Sequence, residues 1–237
     1  VRDEPFGDIE RDLRAEGVPF FVNSAFPPLA EEIGPVAPVV IGAHTPQPYA
    51  HEPFFNISAM SFGALSAPAV RALSRGAASA GIWLDTGEGG LAPYHLEGGC
   101  DVVFEIGTAK YGVRDAAGRL DEGKLREIAA RPEVKMINVK LSQGAKPGKG
   151  GLLPGAKVTA EIARIRGIPE GQDSISPNRH TDIGSVPELL DFIARVRDVA
   201  GKPVGFKAVL GDPRWIAELC AEVRRRGLDT APDFIIV

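Results

Sequence analysis

The residues best suited to chemistry sit where apolar runs give way to glycine. KLSQGAKPGKGGLLPG, Lys140 to Gly155, follows the apolar MINV and holds three lysines, five glycines and two prolines. Such a stretch is neither ordinary helix nor ordinary strand. A lysine at the end of a buried strand is placed to meet an anion or an electron-rich ring, and glycine lets backbone N–H groups approach that ligand closely. Lys140, Gln143 and Lys146 are therefore candidate ligand contacts. Arg166, at the end of the following helical pattern, can reach back to the same place, and a guanidinium matches a carboxylate.

Four other clusters follow apolar runs. Ser58-Ala59-Met60-Ser61-Phe62-Gly63 has small residues that would let a flat ring lie against backbone; a plain turn is the alternative. Asp85-Thr86-Gly87-Glu88-Gly89-Gly90 holds Glu88 among glycines, as an acid/base group, a substrate contact or part of a solvated loop. It lacks the spacing of a dinucleotide fingerprint. His95 and Cys100, five residues apart, make no zinc signature, and no metal is expected. His180 with nearby Asp182 fits proton transfer, or equally a loop bridge or helix cap. Lys207, inside the apolar VGFKAV, needs a compensating charge because an unpaired buried ammonium is costly. It fits an anionic or electron-accepting ligand, and a flavin, whose N1–C2=O edge becomes negative on reduction, is such a group. There is no serine-hydrolase elbow, Cys-His pair or Walker loop.

The elements that must position these residues alternate. FFNISAM, IWLDT, DVVFEIG, VKMINVKL, DSIS, KPVGFKAVL and DFIIV read as short strands. Between them lie helical patterns: SAPAVRALSRGAASAG, DEGKLREIAARP, VTAEIARIRG, SVPELLDFIARVRDVAG and DPRWIAELCAEVRRRG. The strongest has Val186, Leu189, Leu190, Ile193 and Val196 on one stripe. Alternation of this kind means parallel βαβ units. Polar and glycine-rich loops follow nearly every strand, which favours a (β/α)8 TIM barrel with one functional face over a doubly wound sheet with one switch point. About seven strand–helix steps are visible from Phe54 to the end, so the barrel reads as C-terminally incomplete. Residues 1–50 are expected to be an extended, proline-rich N-terminal arm that opens on a charged helix-compatible stretch, and residues 51–237 the barrel.

Composition narrows the classes. The 237 residues are 44% hydrophobic and 24% charged, as in ordinary globular proteins. A net charge of −4 and the absence of a basic stripe argue against nucleic-acid binding. Arg224-Arg225-Arg226 precedes Gly227 and reads as the cationic end of a helix. Two distant cysteines make no disulfide framework, and a cytoplasmic protein is expected, with an upstream membrane segment left open. The chain starts at Val1 rather than methionine and stops on DFIIV, so both ends read as cut.

ISAMSFGALS, TGEGG, KLSQGAKPGKGGLLPGAKV and ISPNRHTDI, in that order, closely resemble the FMN-binding domain of glutamate synthase. The likeness runs from about Phe54 to Val237 and is closer still to stand-alone members that lack an amidotransferase domain. The resemblance implies an FMN-binding barrel that reduces 2-iminoglutarate, formed from 2-oxoglutarate and ammonia, to L-glutamate. Electrons would come from NADPH or a ferredoxin-type donor, usually through an iron–sulfur cluster whose ligands lie outside this chain. Ammonia, free or glutamine-derived, is the co-substrate, and a homo-oligomer or multi-subunit complex is expected. Carried onto these positions, Ser58, Ala59, Met60 and Ser61 would line the flavin, and Lys207 would sit at its pyrimidine edge. Lys146 and Arg166 would hold the 2-oxoglutarate carboxylates, with Gln143 beside them. Glu88, Lys140 and Lys146 are the catalytic candidates.

Two departures matter. The family pattern GGQLPG is here GGLLPG, so Leu152 replaces an amide that would contact substrate. The family's phosphate loop would begin after DFIIV, beyond Val237, and neither Cys100 nor Cys220 matches the cluster cysteines. Two rivals follow: an FMN oxidoreductase acting on another substrate, such as an N-substituted glutamate, and a flavin-carrying subunit without turnover of its own.

Overall fold

A computed structural model describes residues 24–34, 37–144 and 148–237. The charged stretch of residues 2–17, expected to be helical, lies outside them, and so does Lys146. The chain divides into two units, Val1–Ala37 and Pro38–Val237. In the first, Ala30–Glu32 forms one 3-10 turn, closed by the Glu32 carboxylate accepting from the Leu29 N–H at 2.8 Å.

The second unit begins with an antiparallel hairpin, β1 (Val39–Ile41) and β2 (Tyr49–His51). The alternating part follows: α1 (Ala67–Ala80), β3 (Leu84–Asp85), α2 (Pro93–Leu96), β4 (Val102–Ile106), α3 (Glu122–Ala129) and β5 (Val134–Lys140). Then come β6 (Leu152–Leu153), α4 (Ala160–Arg166), β7 (Ser174–Ile175), α5 (Val186–Ala200), β8 (Val204–Lys207), α6 (Arg214–Arg226) and β9 (Ile235–Ile236). The helices start and stop where local chemistry dictates. Ser185 caps α5 by accepting from the Glu188 N–H, and Gly201 ends it at φ 65°, a left-handed conformation costly for other residues.

β3, β4, β5, β8 and β9 form one curled, all-parallel sheet in that order, a half-barrel compatible with an incomplete (β/α)8 barrel. FFNISAM does not become a full strand. It contributes one parallel bridge, Ile57 to Leu84, because the partner β3 is itself two residues long. DSIS is extended as expected but leaves the main sheet: β7 pairs antiparallel with β6 in a separate ribbon. The glycine-rich stretch before it thus makes a strand of its own at Leu152–Leu153, which its composition concealed.

The period-two alternation of strand side chains divides the core. Val102, Phe104, Ile106, Ile137, Val139, Val204 and Phe206 pack against Leu125 of α3, Leu190, Ile193 and Val196 of α5, and Leu219 of α6. On the opposite face, Val103 and Met136 meet Tyr49 and Ile41 of the hairpin, Trp83 and Phe234. That end carries an apolar cavity of about 260 Å³. The polar residues occupy the same face further along the strands. No helix among the described residues is long and apolar enough to cross a membrane.

Arg197 of α5 locks the last crossover. Its guanidinium donates to Asp233 at 3.0 Å and to the carbonyls of Asp229 and Ala231, and Asp233 also accepts from the Val204 N–H at 2.7 Å. Arg197→Ala leaves the Asp233 carboxylate buried without its cation, so urea unfolding at neutral pH should show a loss of roughly 3–5 kcal/mol at unchanged slope. A loss under about 1 kcal/mol would mean that Asp233 rehydrates freely.

Candidate functional site

Four parallel strands deliver the centre of the site. Glu105 of β4 is the register partner of Asn138 of β5, and Lys140 is the partner of Lys207 of β8. Asn138 and Lys140, two apart on one strand, point to the same face. Asp85 ends β3 beside them. Asp85, Glu105 and Asn138 are buried; the two lysines are half-buried above them.

The contacts form one continuous set. The Asn138 amide donates to Asp85 at 2.9 Å and to Glu105 at 3.2 Å. Lys207 Nζ lies 3.5 Å from Glu105, and Lys140 Nζ lies 4.0 Å from Glu105 and 3.3 Å from Glu88. Gln143 donates to both oxygens of Glu88, at 2.6 and 2.7 Å. Burial raises the pKa of Glu105, and the neighbouring Asp85 charge adds to the effect. The compensating charge that the sequence demanded for Lys207 is therefore Glu105.

Arg166, from the end of α4, is buried across a cavity of about 150 Å³ lined also by Ser61, Ala64, Glu88, Gln143, Leu152 and Ser176. It donates to Ser174 Oγ at 2.9 Å, and its guanidinium lies 5.0 Å from the centre of the Tyr111 ring. Ser174 in turn donates to the Tyr111 hydroxyl at 2.8 Å, and Arg166 Nε is left without a partner. Leu152 is exposed at the rim.

Ser58 to Ser61 run beside β3. The Met60 N–H donates to the Asp85 carbonyl at 3.0 Å, and the Met60 carbonyl accepts from His95 Nε2 at 2.9 Å. His95 Nδ1 accepts from the Ala92 N–H, which fixes the tautomer and makes this histidine a structural support. Ser58 is exposed; Ala59, Met60 and Ser61 are half-buried. The Glu88 loop fits against this segment and against β4 because it meets glycine. A Cβ on Gly87 would lie 2.8 Å from Ser61 N, and one on Gly107 would lie 2.5 Å from Glu88 Cβ.

The structure thus brings together Ser61, Glu88, Lys140, Gln143, Arg166 and Lys207. It places His180 and Asp182 outside this set. His180 Nε2 donates to the Lys140 carbonyl at 2.9 Å, while Asp182 accepts from Lys110 at 2.7 Å rather than from the imidazole. Lys110 is buried, has φ 54° and lies 5.7 Å from the Phe192 ring centre. Of the readings open for His180, the loop bridge is the observed arrangement. Asp85, Glu105, Asn138 and Lys110 were not singled out from sequence. The first three are polar residues in apolar strand segments, the same signal that marked Lys207.

The lysine- and carboxylate-lined end of the curled sheet is compatible with the functional face of an incomplete (β/α)8 barrel. The sequence pattern described as the conserved region in glutamate synthase matches residues 32–231, and the chain belongs to the glutamate synthase family. It is 42% identical over 200 residues to the glutamate synthase large subunit-like protein YerD of Bacillus subtilis (strain 168), covering 84% of this chain and 38% of that protein. It is 36% identical over 174 residues to the archaeal-type glutamate synthase [NADPH] of Thermotoga maritima, covering 73% of this chain and 31% of that one. Against the archaeal glutamate synthase [NADPH] of Methanocaldococcus jannaschii it is 37% identical over 153 residues, or 64% and 28%. The chain therefore spans less than two fifths of these relatives.

His180 generates a pH prediction. Burial, then the charge of Lys110, lowers its pKa to about 4, with Asp182 opposing. The unfolded chain binds this proton more readily than the folded one, so stability is lost as pH falls from about 6.5 to about 4, by up to roughly 3 kcal/mol. Urea unfolding at neutral pH and at about pH 4.5 should show a smaller acid loss in His180→Gln, which keeps an N–H for the Lys140 carbonyl. Equal losses would assign the acid sensitivity elsewhere.

Proposed function

We propose that this chain is the flavin-binding part of an FMN-dependent, glutamate synthase-type oxidoreductase that reduces 2-iminoglutarate, from 2-oxoglutarate and ammonia, to L-glutamate. The observation that carries the reading is the unbroken set of contacts from Lys207 through Glu105, Lys140 and Glu88 to the cavity faced by Arg166. It puts two cations at one strand end and a third cation in an adjoining pocket. Membership of the family supports the same reading.

The residues present fit a flavin. Two buried acceptors, Glu105 Oε1 and Asn138 Oδ1, have no partner, and the glycines at 87 and 107 keep the surrounding loops close without side chains. Ser58, Ala59, Met60 and Ser61 would hold the ring against backbone, and Lys207 and Lys140 would face its electron-rich edge. When bound, FMN supplies the hydride that reduces an imine carbon. Arg166 orients a substrate carboxylate, with Lys146, outside the described residues, as its partner cation. Gln143 holds Glu88 beside Lys140, so that an ammonium donor and a carboxylate acceptor sit 3.3 Å apart to handle the proton. The work of these side chains is mainly positioning and electrostatics. An electron-donor protein or an NADPH-linked subunit would reduce the cofactor.

Leu152 favours a second reading. An apolar side chain at the rim of the Arg166 cavity suits a substrate bearing a neutral substituent, such as an N-substituted glutamate. A panel of oxo acids and amines, followed anaerobically by flavin absorbance of the reduced full-length protein, separates the two. Return of the flavin bands with 2-oxoglutarate and ammonia supports glutamate synthesis; return only with another pair moves the assignment. In that same protein Arg166→Ala should raise the KM for 2-oxoglutarate by roughly 10- to 100-fold, the worth of one charge-assisted hydrogen bond, at unchanged flavin content. An unchanged KM would remove Arg166 from the substrate site.

A further inference from the structure

Glu105 is fully buried, and the reaction just described gives it no part beyond pairing. Its two oxygens are treated unequally. Oε2 accepts from Asn138 Nδ2 at 3.2 Å and lies 3.5 Å from Lys207 Nζ; Oε1 has no hydrogen-bond partner, with Lys140 Nζ 4.0 Å away. Asp85, equally secluded, has both oxygens satisfied, by the Gly87 N–H at 2.8 Å and by Asn138 Nδ2 at 2.9 Å. Asn138 Oδ1 is a second buried acceptor without a donor.

Two deficits therefore coincide. The cluster has acceptors in excess of donors, and Lys140 and Lys207 are shared among the three carboxylates Asp85, Glu88 and Glu105, with the Arg166 guanidinium beside Glu88 rather than Glu105. One proton relieves both, because it removes a negative charge and turns an acceptor into an O–H donor. Burial raises the pKa of both Asp85 and Glu105, but Asp85 has a donor on each oxygen while Glu105 Oε1 has none, so Glu105 is the seat of the proton.

We propose that Glu105 is a proton-accepting residue coupled to Lys140 and Lys207, taking one proton from solvent when an anionic ligand engages the two lysines. The balance is simple: the carboxylate gains a proton supplied by buffer, no bond to the ligand forms, and no electron moves. The cause is competition for the same two cations. Those lysines stabilise the Glu105 anion, and a ligand anion that draws on their field leaves Glu105 less able to hold its charge. The groups facing Glu105 are Asp85 at the end of β3, Glu88 from the following loop, Asn138 and Lys140 of β5, and Lys207 of β8. The acids favour the proton and the lysines oppose it. Burial first, then Asp85, sets the pKa of Glu105 at about 8, so the uptake belongs at and above that pH.

The probe, FMN, rests on the flavin reading above. Anaerobic calorimetry of reduced FMN, whose N1–C2=O edge is anionic, binding to the flavin-free full-length protein in two buffers of different ionisation enthalpy, counts protons taken up. At about pH 8.5 the wild type should take up roughly half to one proton more than Glu105→Gln, and at about pH 6.5 the difference should vanish. FMN binding with equal uptake in both proteins at the higher pH overturns the proposal and leaves the flavin reading intact. FMN that does not bind counts against the flavin reading. The infrared band of a neutral carboxylic acid in the ligand-free protein at about pH 6.5 then decides: loss in Glu105→Gln and retention in Asp85→Asn supports the assignment. The reverse pattern, or no such band, overturns it.

Discussion

An ammonium group on the inward row of a buried strand must be met by negative charge, and this requirement organises one whole end of the sheet. Lys207 is answered by Glu105 on the strand two places away in the sheet. A fully buried carboxylate then needs donors of its own, and Asn138, on the intervening strand, supplies one while also binding Asp85. Asp85 completes its set by holding the Gly87 N–H, which starts the Glu88 loop on its course. Each residue is placed by the unsatisfied valence of the one before it. The cost of leaving any of them unpaired in a low-dielectric interior makes the set act as a unit.

The same face of the sheet changes character along its length. Its N-terminal end is apolar and plugged by the β1–β2 hairpin; its C-terminal end is polar and lysine-topped. The helix-facing side is apolar throughout, so rigidity comes from the helices and chemistry from strand ends and loops. A second layer holds the strand ends in place. The ion pair of buried Lys110 with exposed Asp182 anchors the loop carrying His180, and neutral His180 grips the carbonyl of Lys140. The side chain of Lys140 is thus aimed by a bond to its own backbone.

Much of this was legible from residue types alone. The helices α1, α3, α5 and α6 follow their apolar stripes and their Ser, Pro and Gly punctuation closely, because caps and stops are local. Strand membership is not local. DSIS has the composition of a sheet strand, yet pairs outside the parallel sheet, and FFNISAM finds only a two-residue neighbour. Lys207 stood out because a lysine in VGFKAV is conspicuous. Glu105 in DVVFEIG and Asn138 in VKMINVKL carry the same signal, but it is interpretable only once the register puts them side by side. Lys110 was hidden differently: nothing in GTAKYG announces a left-handed, buried lysine. Arg166 was readable as a cation able to reach back, whereas its aromatic partner Tyr111 depended on tertiary placement.

The position of the Glu88 carboxylate is set as much by an atom that is missing as by those that bind it. Gly107 follows β4 directly, and a methyl group there would stand 2.5 Å from the Glu88 Cβ. Positions 88 and 107 are therefore not independent in descent. Any lineage that acquires a side chain at 107 must move residue 88 or reduce it to glycine at the same time, and one that keeps the glutamate in place inherits the glycine with it.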